Sequence, residues 1–275
     1  MRCLGVHSNQ DDNDDGALPG HNILAHVKLS KTITSTFQSN QPAKFNGTTS
    51  TGRKIVPSEL AVEIKQPNLI SLIWNFLHDQ HNLPSKVYDV ESNPFTSSHD
   101  AGCPNFDYPI SVHPSAVAVF RAPSDLCGTG GMRRERIRAV PSWRQGPARY
   151  DCAFVQTDPT ADGMRSLDIA RVRLFFSFTF QGVFYPCALV HWYSRVGHGP
   201  DDDTGMWIVK ADKDAHGAPN VAVVHLNTLV RAAHLIGVYG KDFLPSGLTP
   251  EQSLDLFDTY YVNKFIDHNS FAIAY

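Results

Sequence analysis

The run around Phe176 leaves the chain few options: Val172, Leu174, Phe176, Phe178 and Phe180 alternate with Arg171, Arg173, Ser177 and Thr179. A period of two presents one apolar face, which defines a long half-buried β-strand. Gln181-Gly182 follows as a two-residue turn, and the apolar stretch Phe184 to Tyr193 returns, so the pair predicts a β-hairpin. Further strands are expected at Cys152 to Thr157, Met206 to Lys210 and Val221 to Leu226, the last two separated by a polar turn from Asp212 to Asn220. Consecutive strands with short turns argue for an α+β fold, built as a small antiparallel β-barrel or a strongly twisted meander with flanking helices.

Helical periodicity lies on either side. Pro57-Ser58-Glu59 opens a short helix, and Leu69, Leu72, Ile73, Phe76 and Leu77 follow the spacing of a one-faced helix. Thr249, Pro250 and Gln252 form a capping-box start for a segment carrying Leu254, Phe257, Tyr261 and Phe265. Ile23 to Leu29 is expected as a short helix, residues 1–56 as otherwise irregular, and the Pro-interrupted stretch from Asp79 to Asp107 as a loop. The implied division is 1–56, a helical segment with its loop over 57–120, and an Arg-rich helix plus β-rich domain over 121–275.

With 42% hydrophobic residues in 275 the chain can bury a core, and its net charge of −3 gives no global reason to expect an anionic partner. No basic leader followed by an apolar run opens the sequence, and no apolar run reaches the ~18 residues of a membrane span. The five cysteines are odd in number and scattered, as suits reduced thiols in an intracellular compartment.

Against that acidic background, residues 121–149 carry seven arginines and only Asp125 and Glu135. The planar guanidinium fork grips phosphate at two points and stacks on rings. Arg133, Arg134, Arg136, Arg138, Arg144 and Arg149, with Trp143 as a stacking surface, are therefore candidate nucleic-acid contacts. The competing reading is a solvated surface helix from Met132 to Ala139 whose arginines pair with acidic loops such as Asp201-Asp202-Asp203. Gly128-Thr129-Gly130-Gly131 lacks the spacing of a nucleotide-binding loop and reads as a hinge.

Other constellations carry less chemistry. Trp192, Tyr193 and Trp207 could line an aromatic groove for a peptide. His191, His198, Asp201 and Asp203 could gather a divalent ion for a metal-dependent hydrolase, although the Gly-Pro and Thr-Gly brackets around the aspartates suit a solvated hairpin loop. A mixed zinc site of His78, His81, His99 and Cys103 lacks the tight spacing of zinc modules. No GxSxG elbow or acid/base pair is present, so no catalytic residue and no cofactor is assigned.

Several longer strings carry a resemblance: Gly130-Gly131-Met132-Arg133-Arg134-Glu135-Arg136-Ile137-Arg138, Tyr185-Pro186-Cys187-Ala188-Leu189-Val190-His191-Trp192, Asp203-Thr204-Gly205-Met206-Trp207, Arg231-Ala232-Ala233-His234-Leu235-Ile236 and Tyr261-Val262-Asn263-Lys264. Together they resemble the C-terminal region of multicopy proteins of basidiomycete fungi associated with Plavaka-type or related cut-and-paste DNA transposons. The resemblance implies a fungal, nuclear protein or a portion of a longer transposase-like one, with a β-rich part like an SH3 or chromatin-reader barrel. The acidic triad of a transposase catalytic domain maps onto no position here. The expectation is a non-catalytic accessory domain contacting nucleic acid or chromatin, with a protein-interaction module as the alternative and no membrane partner.

Overall fold

The computed structural model describes residues 25–30, 54–81, 106–122, 131–240, 243–244 and 246–275. In chain order the elements are β1 (Ala25–Leu29), β2 (Lys54–Ile55), α1 (Pro57–Glu63), α2 (Leu69–His81), β3 (Ile110–His113), β4 (Ser115–Arg121), β5 (Met132–Val140), β6 (Arg149–Tyr150) and β7 (Cys152–Gln156). There follow β8 (Leu167–Phe180), β9 (Val183–Val196), β10 (Ile208–Ala211), β11 (Val221–His225), β12 (Leu229–Ala233), β13 (Leu235–Gly237), α3 (Ser253–Leu256), β14 (Tyr260–Val262) and α4 (His268–Ile273). The fold is α+β and mostly antiparallel sheet. One four-stranded sheet runs β1-β4-β5-β6, and a ten-stranded sheet runs β12-β7-β8-β9-β10-β14-β13, with β11 beside β9 and β3 and β2 beside β8. Both sheets are open at their ends, so the strands do not close into a barrel.

The β8–β9 hairpin is the spine. Its turn residues Gln181 and Gly182 both have positive φ, 50° and 80°, the left-handed pair that matches the twist of two-residue hairpins. The expected strict alternation is broken once: Val172 pairs Val190 and Leu174 pairs Leu189, leaving the exposed Arg173 as an extra, bulged residue. A bulge reverses the faces. Val172 therefore packs on one side of the sheet while Leu174, Phe176, Phe178 and Phe180 pack on the other.

This switch lets one hairpin serve three apolar clusters. On one face Leu174, Phe176, Phe178 and Phe180 meet α1 and α2, where Leu69, Ile73, Phe76 and Leu77 form the buried stripe anticipated from their spacing. Phe106 and Trp74 fill the gap edge-on, 5.8 Å between ring centroids. Each fully buried side chain of this size contributes about 1.5–3 kcal/mol, which seats two short helices that could not persist alone. On the same face of the spine's other half, Leu167 and Ile169 join Phe154, Trp207, Val209 and Tyr260. The opposite face packs on the four-stranded sheet through small residues, among them Ala116, Ala118, Ala139, Ala153, Ala170 and Ala188.

Several expectations are corrected. Ala25–Leu29 is a strand paired with β4, because Val27 buries against the second sheet. Met132–Val140 is a strand, not an Arg-rich helix: Ile137 and Ala139 are buried at a period of two and every residue from Met132 to Arg138 has a partner on β4. β4 crosses the expected boundary at residue 120, and 57–120 contributes strands to both sheets. The capping box at Thr249 forms, but the helix stops after Leu256, since Tyr260 and Tyr261 pair in sheet register with β10 and β13. The glycine-rich run ahead of Gly131, the zinc candidates His99 and Cys103, and most of the segments 1–56 and 79–107 lie outside the described residues.

Candidate nucleic-acid interface

Alternation along β5 sorts its charges. Ile137 and Ala139 point into the core, and Glu135 points the same way, its carboxylate accepting from Ala232 N at 2.5 Å and from Arg231 at 2.9 Å. Arg134, Arg136 and Arg138 must then project from the opposite, outward face. Register extends that face across the sheet: His26 pairs Val119, which pairs Arg134, and Lys28 pairs Val117, which pairs Arg136. The outward positions of β1, β4 and β5 thus carry two basic rows separated by valines, and no carboxylate among the described residues. Burial, and then the charges of Lys28 and Arg134, hold the His26 pKa below its ordinary value.

One end of this face is built around Trp143. The connection between β5 and β6 folds on itself, with Trp143 N donating to Pro147 O at 2.9 Å and Gly146 N to Trp143 O at 2.8 Å. Arg144 and Gln145 take positive φ, 51° and 64°, which turns the loop back over the sheet. The Arg138, Arg144 and Arg149 guanidinium carbons then lie 4.4, 5.3 and 5.6 Å from the Trp143 ring centroid. Each such contact contributes roughly 0.5–1 kcal/mol at an exposed site. Asp151 is the nearby anion, accepting from Arg149 Nε at 2.8 Å and Arg138 N at 2.9 Å. Burial, then the neighbouring Arg149, Arg136 and Arg144 charges, depress the Arg138 pKa against the opposing pull of Asp151.

The candidate residues therefore divide. Arg134, Arg136, Arg138, Arg144 and Arg149 gather with Trp143 on one surface. Arg133 lies on the inward side of β5, 3.6 Å from Asp267. The pairing with Asp201-Asp202-Asp203 is not what holds them: Asp201 accepts from Thr204 N at 3.0 Å and Thr204 Oγ1 at 2.8 Å within its own loop. His26 and Lys28 went unread because β1 reaches β5 only through long-range pairing; the alternating Ser115-Ala116-Val117-Ala118-Val119-Phe120 was the available signal for the intervening strand.

The aromatic groove does not exist, since Tyr193 and Trp207 are 2% and 3% exposed within the core. His191 Nε2 is 2.7 Å from the Asp212 carbonyl oxygen, His198 stands exposed in the β9–β10 loop, and no three His, Cys, Asp or Glu side chains converge as metal ligands among the described residues. Cys152 and Cys187 are buried, the thiol of the first pushed up to about 12 and the second raised also, chiefly by burial, so neither is a ready nucleophile. No described helix is long and apolar enough to cross a membrane.

Compared with protein-family models, with curated proteins and with solved structures, the chain finds no match.

Proposed function

We propose that the outward face of the four-stranded sheet binds the sugar–phosphate backbone of a single-stranded nucleic acid. The supporting observation is the convergence of Arg138, Arg144 and Arg149 on Trp143 beside the Lys28, Arg134 and Arg136 rows. Three guanidinium groups gathered on one ring repel one another, so a surface that concentrates them suits an anionic partner that relieves the cost. Clamping guanidinium groups on an indole pre-organises their donors, which lowers the entropy lost on gripping phosphate. A sheet face bearing an aromatic ring beside basic rows suits an extended strand, whose bases can stack, better than a duplex groove, which admits a helix or ribbon.

This reading makes the domain a non-catalytic accessory module, and the likeness to fungal transposon-associated proteins adds a nuclear setting in which DNA is the natural ligand. Fluorescence anisotropy with a labelled oligonucleotide tests it. Replacing Arg134 and Arg136 together by glutamate should abolish binding, and Trp143→Leu should weaken it several-fold, with thermal unfolding showing that both variants remain folded. Equal binding by wild type and the double glutamate variant would remove the proposal.

A further inference from the structure

β5 is paired with β4 along its length but with β6 only at Ala139 and Val140. Beside that incompletely paired edge lies a cleft of about 450 Å³, lined by residues of β5, β6, β12 and α3. Arg136, Arg138, Arg149 and Arg231 line it, so it adjoins the basic face, together with Ser253 and two carboxylates, Glu135 and Asp151, that are already engaged by Arg231 and Arg149. The volume falls within the range of small-ligand sites.

Arg231 is 2% exposed, and its donors can be accounted for one by one. One terminal nitrogen serves Asp267 at 2.8 Å and Asn269 at 3.2 Å, and the other serves Asp267 at 2.8 Å and Glu135 at 2.9 Å. That leaves the Nε–H, which is buried and has no acceptor among the described residues; the Arg138 Nε–H is in the same condition. Buried donors without acceptors are uncommon and call for a reason. Both of these belong to arginines that line this one cleft.

We infer that the cleft takes a phosphate monoester, the terminal phosphate of a strand laid along the basic face. This rests on the reading of that face as a nucleic-acid surface. A monoester carries more charge and more free oxygens than the internal diesters, and it can sit where a continuing chain could not pass. Arg136, Arg138 and Arg149 belong to both surfaces, so a strand held on the face meets the cleft at its end. A free nucleoside monophosphate presents the same chemistry.

The test compares one oligodeoxynucleotide bearing a 5′-phosphate, a 3′-phosphate or hydroxyl ends, with adenosine monophosphate and inorganic phosphate measured separately by calorimetry. Wild-type protein should prefer one phosphorylated end by about ten-fold, the scale of a hydrogen bond to a charged group. Ser253→Glu, which places a carboxylate in the cleft, should erase that preference while the hydroxyl-ended strand still binds. Arg134→Glu should weaken all strands alike and preserve the ratio. Thermal unfolding confirms that each variant is folded. Equal affinity for all three ends, with no heat from either phosphate compound, overturns the cleft assignment and leaves the face intact. Saturable monophosphate binding that Ser253→Glu abolishes, without binding of the hydroxyl-ended strand, supports the cleft, assigns the ligand to a free nucleotide and removes the face.

Discussion

Replacing Arg231 with methionine removes the guanidinium that ties β5, β12 and the C-terminal helix together. Its bidentate pair with Asp267, two bonds of 2.8 Å, and its 2.9 Å bond to Glu135 are shielded from solvent, the carboxylate side chains being 11% and 19% exposed. The Arg231 guanidinium also lies 4.1 Å from the Phe120 ring centroid. Methionine keeps much of the apolar stem but leaves two carboxylates without their counter-charge. Burial alone would raise the Asp267 pKa; the Arg231 hydrogen bonds, the Ser270 N–H and the charges of Arg231 and Arg133 bring it below the ordinary carboxylate value. Breaking a buried pair from one side costs about 3–5 kcal/mol, a large share of a total stability of about 5–15 kcal/mol. Equilibrium urea denaturation followed by tryptophan fluorescence should show an unchanged slope and a midpoint lowered by that loss divided by the slope. Adding Asp267→Leu should recover part of the loss, because the two positions share one network. A loss under about 1 kcal/mol for Arg231→Met would refute the claim that this cluster fastens the sheets.

Acidification should destabilise the protein: His113, His191, His225 and His26 all have pKa values lowered from 6.5, chiefly by burial. The unfolded chain takes up their protons first, so stability present above about pH 6.5 is lost as pH falls toward the folded values; a melting temperature unchanged between pH 7.5 and 5 would contradict this. Gly237→Ala would push a methyl group into the Phe257 ring and should cost about 1–3 kcal/mol, whereas Gly199→Ala, with open space around it, should cost little. Cys152 and Cys187 should resist thiol reagents in the native state and label on unfolding, which peptide-level mass spectrometry reads site by site.

Legibility followed the range of the interactions. The β8–β9 hairpin, the stripe on α2 and the capping box at Thr249 depend on neighbours in sequence, and all three are read from periodicity and turn chemistry. β5 depends on β4: its arginines are acceptable helix formers locally, and only pairing with Ser115–Arg121 makes the period of two decisive. The bulge at Arg173 has no local signature, yet it determines which cluster each phenylalanine joins. The arginines and Trp143 of the candidate site were nameable from composition. Their convergence was not, because it depends on positive φ at two non-glycine residues, Arg144 and Gln145, and the basic row from β1 depends on a register spanning some ninety residues. Arg231 was unread as a hub because nothing adjacent to it announces Glu135 or Asp267.

Phosphate contact by the outward face is tested most directly by the salt dependence of single-strand binding. Each phosphate neutralised contributes about −0.7 to the slope of log K against log salt, so about four contacts give roughly −3, and converting Arg134 and Arg136 to glutamine should bring the slope about 1.4 closer to zero. A wild-type slope near zero, or one that the double substitution leaves unchanged, would contradict the account.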